Sequence, residues 1–169
     1  VNKGNPDDPS ENLPTQYTLD ILTRFKLTPR EMYEAFDYCK SRGIIPLCTP
    51  WDIVSLERLE NYPTDGYKVG SPDMTNHTLL RALAKTGKPL IISTGMSDEN
   101  EIKQTVKFLK GLNVKYALLH CNSTYPAPFK DINLNYMRRL REIGNCAVGY
   151  SGHERGFHVA IAAVAMGAR

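Results

Sequence analysis

The sequence predicts an α/β fold in which short parallel strands alternate with helices. Short apolar runs recur about every 22 to 32 residues, and a helical pattern follows each run. The strands are expected near residues 44–48, 66–70, 89–93, 116–120 and 147–151. A doubly wound sheet and a (β/α)8 barrel both fit this period, so the period alone does not choose between them. No G-x-G-x-x-G motif follows any of the runs, which disfavours a dinucleotide-binding fold.

Helix start and stop signals support this alternation. Thr28, Pro29 and Glu31 have the pattern of a capping box with proline at the first helical position. Gly43 is a natural end for that helix. Further helices are expected to begin at Asn76 and Ser97, to lie around 134–144 and to cover 159–166. The last of these is apolar nearly all round, which predicts that it is buried.

The first 27 residues differ from the rest of the chain. Pro, Asn and Asp occur there without clear periodicity. Residues 1–27 are therefore interpreted as a loop-rich N-terminal segment, and residues 28–169 as the strand-and-helix domain. The chain starts without methionine and stops directly after an Ala-rich run, so we expect both ends to lie within a longer chain.

Composition and charge exclude several classes of protein. The 169 residues are 41% hydrophobic and 23% charged, which is ordinary for a soluble globular domain. The 21 basic and 18 acidic residues are interspersed, without the basic block that nucleic-acid binding requires. No apolar stretch approaches the roughly 20 residues of a membrane span. None of the four cysteines forms a C-x-x-C pair, which favours free thiols in a reducing cytoplasm. Together with the charge pattern and the short apolar stretches, this predicts a cytoplasmic protein that binds neither nucleic acid nor membranes.

Polar residues collect where the predicted strands end. Ligands of parallel strand-and-helix folds bind at the carboxyl ends of the strands, so these residues predict a binding site. They are Thr49, Lys68, Ser71, Asp73, Ser93, Thr94, His120, Asn122, Ser123, Tyr125, Ser151 and His153. A purely structural sheet edge would more often show Gly, Asn and Asp turn residues. Trp51 and Asp52 are candidates for the rim of the pocket, with ordinary packing as the alternative for Trp51.

The residue types at these strand ends fit an anionic ligand. Hydroxyl groups, backbone N–H groups and one lysine are what a phosphate or carboxylate needs. Lys68 lies within a strand, where an ammonium without a partner is costly to bury, and an anion would compensate it. The alternative is an edge-strand lysine that faces solvent. His153 alone is a weak metal signal, and an ordinary hydrogen-bonded histidine is the alternative.

Four stretches resemble the signature sequences of the sialic acid synthase family, in order along the chain. They are YKVGS at 67–71, KPLIISTGM at 88–96, HC through YPAP at 120–128, and VGYSGH at 148–153. That family includes N-acetylneuraminate, legionaminic acid and pseudaminic acid synthases and related polysaccharide-biosynthesis proteins. The resemblance implies a (β/α)8 TIM barrel of which this chain supplies about strands three to seven. Residues 28–169 would then be a partial TIM-barrel synthase domain.

The resemblance also implies roles for single residues. Phosphoenolpyruvate (PEP) would be held by Thr49, Lys68, Ser71, Ser93 and Ser151. Tyr125 would contact the amino sugar, and His153 would be one of two histidines that bind a divalent metal, manganese or magnesium. Asp73 stands where a sugar-contacting glutamate is common, and Ser123 stands where an asparagine often contacts PEP. These two departures leave the acceptor sugar and its orientation open.

The expected function is that of a transferase that forms a carbon–carbon bond. PEP and an N-acetylmannosamine-like sugar would give a nine-carbon 2-keto sugar acid with release of phosphate. Lys68, Asp73 and Tyr125 are the candidate catalytic residues, and the metal would polarise the sugar aldehyde. A homodimer of the full-length protein is expected. Two alternatives remain open: another barrel aldolase that uses PEP or a phosphosugar, and a catalytically silent relative that binds sugar or phosphate.

Overall fold

The computed structural model describes residues 19–62 and 64–169. Its contacts divide the chain into two compact units, Val1–Ile44 and Ile45–Arg169. This division falls inside the range that the sequence assigns to the strand-and-helix domain. Residues 1–18, which make up most of the segment predicted as loop-rich, lie outside the described residues.

The described part of the first unit is helical. Residues 19–25 form a helix, so this part of the segment predicted as a loop is not one. Helix α1 is Pro29–Ser41, and its predicted capping box is confirmed. The Thr28 hydroxyl accepts a hydrogen bond from the Glu31 N–H at 3.3 Å, and the Glu31 carboxylate accepts one from the Thr28 N–H at 2.7 Å. Gly43 follows the helix with a φ of +72°, the left-handed conformation that glycine adopts without strain.

The second unit contains a four-stranded parallel sheet. Its strands are β1 Tyr67–Val69, β2 Leu90–Ser93, β3 Tyr116–Cys121 and β4 Ala147–Ser151, and they lie side by side in chain order. The helices are α2 Ile53–Glu60, α3 His77–Lys85, α4 Glu99–Gly111, α5 Tyr136–Gly144 and α6 His158–Ala165. Short 3-10 turns lie at Ser71–Asp73 and Phe129–Asp131. One α-helix connects each pair of neighbouring strands, which confirms the predicted alternation for four of the five runs.

The first predicted strand, at residues 44–48, is wrong. In the second unit this run contributes a single bridge, in which Cys48 pairs with Tyr67. The Cys48 carbonyl accepts a hydrogen bond from the Lys68 N–H at 2.9 Å. Pro46 has no N–H to donate to a ladder, and Leu47 is exposed, so neither hydrogen bonding nor burial favours a longer strand.

The helix caps agree with the sequence at one position and differ at the next. Asn76 caps α3 as predicted, and its side-chain oxygen accepts a hydrogen bond from the Leu79 N–H at 3.2 Å. Ser97 was expected to cap α4, but Asp98 does so through a capping box with Glu101. The difference arises because Asp98 stands three residues before a glutamate, which is the spacing that the reciprocal bonds require.

Helix α2 was not foreseen from the sequence. It begins after Asp52, whose carboxylate accepts a hydrogen bond from the Ser55 N–H at 2.6 Å. Asp52 is therefore the N-cap of this helix. The exposed Trp51 ring lies against Gly70, since a Cβ built on that glycine would be 3.2 Å from the ring.

The core lies on one face of the sheet, beneath the helices. The strands bury Tyr67, Val69, Leu90, Ile92 and Leu118 almost completely on this face. The helices contribute Leu79, Leu80, Leu83, Ile102, Leu109, Met137 and Leu140. Because side chains alternate along a strand, the residues between these buried positions point to the opposite face.

Helix α6 is not buried as its composition predicts. Among its residues only Ala163 is buried, while Ile161 and Val164 are 60% and 67% exposed. The helix packs against β4, which is the end strand of the sheet, so there is too little neighbouring surface to cover an apolar helix on all sides. In the described ranges, no helix is both long and apolar enough to pass through a membrane. All four cysteines are free thiols.

Candidate active site

The carboxyl ends of the strands carry polar side chains on the face away from the helices. Alternation along β1, β2, β3 and β4 places Lys68, Ser93, Cys121 and Ser151 on this face. The strand register sets Cys121 directly beside Ser151. Four strands thus present one polar group each to the same side of the sheet, as the rule for ligand sites in parallel folds predicts.

Lys68 is held by neutral partners. Its ammonium donates hydrogen bonds to the Ser93 hydroxyl at 2.7 Å and to the Val69 carbonyl at 2.8 Å. Within residues 19–62 and 64–169, no carboxylate forms an ion pair with it. Burial lowers the pKa of Lys68, and the nearby Cys121 sulfur partly opposes this shift. A half-buried ammonium without a countercharge favours the binding of an anion.

Gly95 joins the loops that follow three strands. Its N–H donates a hydrogen bond at 3.1 Å to the hydroxyl of Ser71, a buried residue in the turn after β1. A Cβ at Gly95 would lie 2.6 Å from the Ser123 hydroxyl and 2.9 Å from the Cys121 carbonyl oxygen. The turn after β2 therefore needs glycine here, and this contact places the predicted residues Ser71 and Ser123 on either side of one backbone segment.

A second group of side chains surrounds His153. Its Nε2 lies 2.7 Å from the Tyr125 hydroxyl, and the two rings stack with centroids 3.8 Å apart. The Cys121 sulfur is 3.9 Å from both ring nitrogens of His153. The His153 carbonyl accepts a hydrogen bond from the Ala127 N–H at 3.1 Å. Because Cys121 also interacts electrostatically with Lys68, it links the lysine group to the histidine group.

A polar cleft of about 500 Å³ adjoins these groups at the ends of β2 and β3. Hydroxyl and amide groups dominate its lining, which includes Thr94, Gly95, Ser97, His120, Cys121, Asn122, Ser123, Thr124, Asp131, Asn133 and Tyr136. The Ser97 hydroxyl is buried and has no hydrogen-bond partner among residues 19–62 and 64–169. Gly95, Ser97 and Cys121 were not among the predicted site residues. Gly95 lies just after β2 and Cys121 is the last residue of β3, so their positions in the sequence could have pointed to the site. Their residue types did not, because glycine and cysteine are not typical ligand-binding residues.

Two predicted polar residues, Asp73 and His120, lie apart from the lysine and histidine groups. Asp73 accepts a hydrogen bond from the Asn76 side chain at 3.0 Å, and no hydrogen bond connects it to Lys68 or His153 in the described ranges. Thr49, in contrast, follows Cys48, whose bridge to Tyr67 and hydrogen bond from the Lys68 N–H set Thr49 beside the lysine group. His120 points toward the helices, where its Nε2–H donates to the Ile132 carbonyl at 2.6 Å. It occupies the buried face because it is one residue out of phase with Cys121.

The described residues do not supply a full set of ligands for the predicted metal. In the described ranges, no three His, Cys, Asp or Glu side chains are grouped closely enough to hold a metal ion. His153 offers an imidazole, but its Nε2 is within hydrogen-bond distance of the Tyr125 hydroxyl. One imidazole and a buried thiol do not make the three- or four-ligand set that a protein metal centre requires. The described residues therefore do not form a metal centre on their own.

Comparison with known proteins places this site in a family. Residues 2–169 match the NeuB family. The chain is 36% identical to the N,N'-diacetyllegionaminic acid synthase of Campylobacter jejuni over 153 residues, which is 89% of this chain and 46% of that protein. It is 35% identical to the human N-acetylneuraminate-9-phosphate synthase over 133 residues, 78% of this chain and 37% of that protein. The chain thus spans less than half the length of these relatives.

A solved structure agrees with the sequence matches. The N-acetylneuraminic acid (sialic acid) synthetase from Leptospira borgpetersenii, determined with citrate, superposes with a TM-score of 0.86 at 29% identity. The superposition covers 90% of this chain and 54% of that one. Together with the parallel sheet and its helices, this likeness confirms the predicted fold class, a part of a (β/α)8 barrel. The chain is a member of the NeuB family.

Proposed function

We propose that this chain carries the PEP-binding part of the active site of a sialic-acid-type synthase. The proposed reaction joins PEP to an N-acetylated amino sugar and releases phosphate. Membership of the NeuB family supports this proposal, because named relatives are legionaminic acid and N-acetylneuraminate-9-phosphate synthases. Amino-sugar acceptors are thus the class to test first. The individual acceptor, including whether it is phosphorylated, is open.

The observation that carries the proposal is the environment of Lys68. Its half-buried ammonium has a serine hydroxyl and a backbone carbonyl as hydrogen-bond partners, and burial lowers its pKa. Binding of a dianionic or trianionic ligand would restore the countercharge that the fold does not supply. The hydroxyls of Ser71, Ser93 and Ser151 lie on the same side of the sheet or at its edge and would hydrogen-bond the ligand oxygens.

The chemistry proposed for the site balances without an added oxidant or reductant. The methylene carbon of PEP bonds to the aldehyde carbon of the open-chain sugar, and the aldehyde oxygen takes up a proton. Water adds to the former enol carbon of PEP, and phosphate then leaves that carbon to give the 2-keto acid. Lys68 and the serine hydroxyls would bind and orient PEP through this sequence, which is a positioning role with a large effect on rate.

The histidine side of the site is assigned to the acceptor. Tyr125 is 75% exposed, so its ring and hydroxyl are accessible to a sugar, and it stacks on His153. Asp73 remains a candidate for a further sugar contact, and Thr49 and Ser123 for contacts to PEP. We retain manganese or magnesium as a prediction in which His153 supplies one ligand and other residues supply the rest.

The location and assembly of the protein are also proposals. Four free cysteines support a reducing compartment, which favours the cytoplasm. A homodimer of the complete protein is expected, and size-exclusion chromatography with light scattering tests it.

Substitution of Lys68 tests the proposed function. Lys68→Ala removes a charged hydrogen-bond donor, which is worth about 1.5–3 kcal/mol, so PEP affinity should fall by about 10- to 150-fold. In the complete protein the variant should raise the KM for PEP and lower turnover while the thermal unfolding temperature stays close to that of the wild type. Calorimetric titration with PEP and steady-state kinetics measure these effects.

Lys107→Ala is the matched control, because Lys107 is exposed on α4, away from the strand ends. It should bind PEP like the wild type. Unchanged PEP binding in Lys68→Ala would mean that Lys68 does not contact PEP and would defeat the proposal. Lys68-dependent binding of PEP without any turnover, across a panel of N-acetylated amino sugars, would identify the protein as a silent binding relative instead.

A further inference from the structure

The turn after β4 is closed by a hydrogen bond between two side chains that neither the motifs nor the proposed function uses. The Tyr150 hydroxyl donates to the Glu154 carboxylate at 2.6 Å. Between these two residues lie Ser151, Gly152 and His153. The bond therefore joins the two ends of the short segment that carries two candidate site residues.

Gly152 allows the carboxylate to fold back across the turn. A Cβ at this position would lie 2.7 Å and 2.8 Å from the two Glu154 carboxylate oxygens, and 2.8 Å from the Tyr150 ring. Only a residue without a side chain leaves room for the Tyr150–Glu154 bond in this arrangement. Tyr150 and Glu154 thus supply the two partners of the bond, and Gly152 supplies the space between them.

Tyr150 is well suited to anchor the turn. Its ring is on the helix-covered face of β4, with its centroid 6.0 Å from that of His120. Burial raises the pKa of Tyr150 far above its ordinary value, and the bond to Glu154 adds to this shift. The hydroxyl therefore remains a hydrogen-bond donor throughout the neutral range. His153 is restrained in addition by the hydrogen bond from the Ala127 N–H to its carbonyl.

We propose that Tyr150 and Glu154 are positioning residues that hold Ser151 and His153 in place for the proposed reaction. This inference rests on the proposed function. Glu154 acts through its bond to Tyr150 rather than on the substrate. The pair restrains the backbone of the turn, while the Tyr125 hydroxyl contacts the imidazole ring of His153. Loss of either partner frees the turn and misplaces the His153 ring relative to the lysine group.

Paired substitutions in the complete protein test this inference. Glu154→Ala and Tyr150→Phe should each lower kcat by about 10- to 100-fold, because small misplacements of site groups have effects of this size. The affinity for PEP should fall by no more than about tenfold, the worth of the one hydrogen bond from Ser151, since Lys68, Ser71 and Ser93 are untouched. The double variant should be no worse than either single variant, because both remove the same bond.

Glu154→Gln supplies the decisive comparison. A glutamine oxygen still accepts from the Tyr150 hydroxyl, so this variant should retain kcat within about threefold of the wild type. If Glu154→Gln loses as much activity as Glu154→Ala, the carboxylate charge acts directly and the positioning role is wrong. Glu57→Ala, an exposed residue of α2, serves as the control for loss of a glutamate and should leave activity unchanged.

Backbone amide spectra separate this inference from the proposed function. Glu154→Ala should shift the amide signal of Ser151, and Tyr150→Phe that of His153, while the signals of Lys68 and Ser93 stay in place, whether or not the protein is a synthase. Neither reporter residue is next to the substituted one, so the shift reports the bond across the turn. Unshifted turn signals would overturn the positioning role even if turnover fell. Failure of Lys68→Ala to alter PEP binding, together with shifted turn signals, would reject the proposed function but keep the contact as a determinant of the turn.

Discussion

Replacement of Gly95 with alanine tests whether three strand-end loops really meet at this residue. The new Cβ would lie 2.6 Å from the Ser123 hydroxyl, 2.9 Å from the Cys121 carbonyl oxygen and 3.0 Å from the Cys121 sulfur. Each distance is at least 0.4 Å inside the 3.4 Å at which ordinary van der Waals contact begins. The serine hydroxyl can rotate away. The carbonyl belongs to the last residue of β3 and is fixed by the sheet, so the turn after β2 must move instead.

The cost of that movement can be bounded. Overpacking in a well-packed region typically costs about 1–3 kcal/mol. For a chain of this size each kcal/mol lowers the unfolding temperature by about 2–4 °C, so Gly95→Ala should unfold about 2–12 °C below the wild type. The same movement would stretch the hydrogen bond from the Gly95 N–H to the Ser71 hydroxyl, and PEP affinity should fall by up to about tenfold.

Gly111 provides a control within the same chain. It is the last residue of α4, and a Cβ there would meet no atom within 4 Å. Alanine in a helix is favoured over glycine by about 0.5–1 kcal/mol, so Gly111→Ala should unfold at or slightly above the wild-type temperature. Differential scanning calorimetry and PEP titration compare the two variants. If Gly95→Ala unfolds no earlier than the wild type and binds PEP equally well, the close approach at Gly95 is wrong.

Two further predictions concern groups away from the site. Burial opposes ionisation of Glu60, but hydrogen bonds from Lys88 and Tyr67 outweigh it and hold the pKa of Glu60 below its ordinary value. The stability that these bonds give is present above about pH 4.5 and is lost as the pH falls through the lower folded-state pKa of Glu60. The free energy of urea unfolding of the wild type should therefore exceed that of Glu60→Gln by less at about pH 3 than at about pH 7. A difference that stays constant over this range would contradict the assignment. Burial raises the pKa of Tyr116 to about 12, and its hydroxyl donates to the Gly144 carbonyl at 2.8 Å. Tyr116→Phe should therefore remove a step near pH 12 from the tyrosinate absorbance titration and cost about 1 kcal/mol in stability, whereas loss of a step near pH 10 would refute the assignment.

Local signals in the sequence predicted much of the fold because they act over a few residues. The capping box of α1 satisfies backbone N–H groups within one turn, while the proline at its start and the glycine after it act through their own backbone conformations. The predicted cap of α4, Ser97, is one position before the observed cap, Asp98, because both adjacent residues have side chains that can cap a helix. Helix α2 was missed because a helix of eight residues carries few periodic positions to reveal it.

Long-range features were less predictable. The run at 44–48 is apolar enough for a strand, but Pro46 limits its pairing to the bridge at Cys48. Composition correctly showed that α6 is apolar, but its burial depends on which elements surround it, and β4 is the end strand. Pro46 was a local signal against a full strand, whereas nothing in the local sequence of α6 shows which elements surround it.

Side-chain phase explains which predicted site residues converge. Alternate residues of a strand point to opposite faces of the sheet. A prediction that chooses polar residues near each strand end therefore includes residues from both faces. Lys68, Ser93 and Ser151 share the open face, whereas His120 lies on the covered one. Cys121 belongs to the open face as well and went unnoticed, because cysteine is more often a small buried hydrophobe than a site residue.

The two sides of the proposed site are supported in different ways. Lys68 and Ser93 project from strands whose backbones are paired, so the sheet itself fixes the distance between them. His153 lies beyond the last paired residue of β4 and depends on contacts made by the turn, including the Tyr150–Glu154 bond. The PEP side should therefore tolerate changes in surrounding loops better than the acceptor side. This difference suits a family whose named relatives make different sugar acids, because the sheet would keep the proposed PEP site constant while turns and loops change to fit the acceptor.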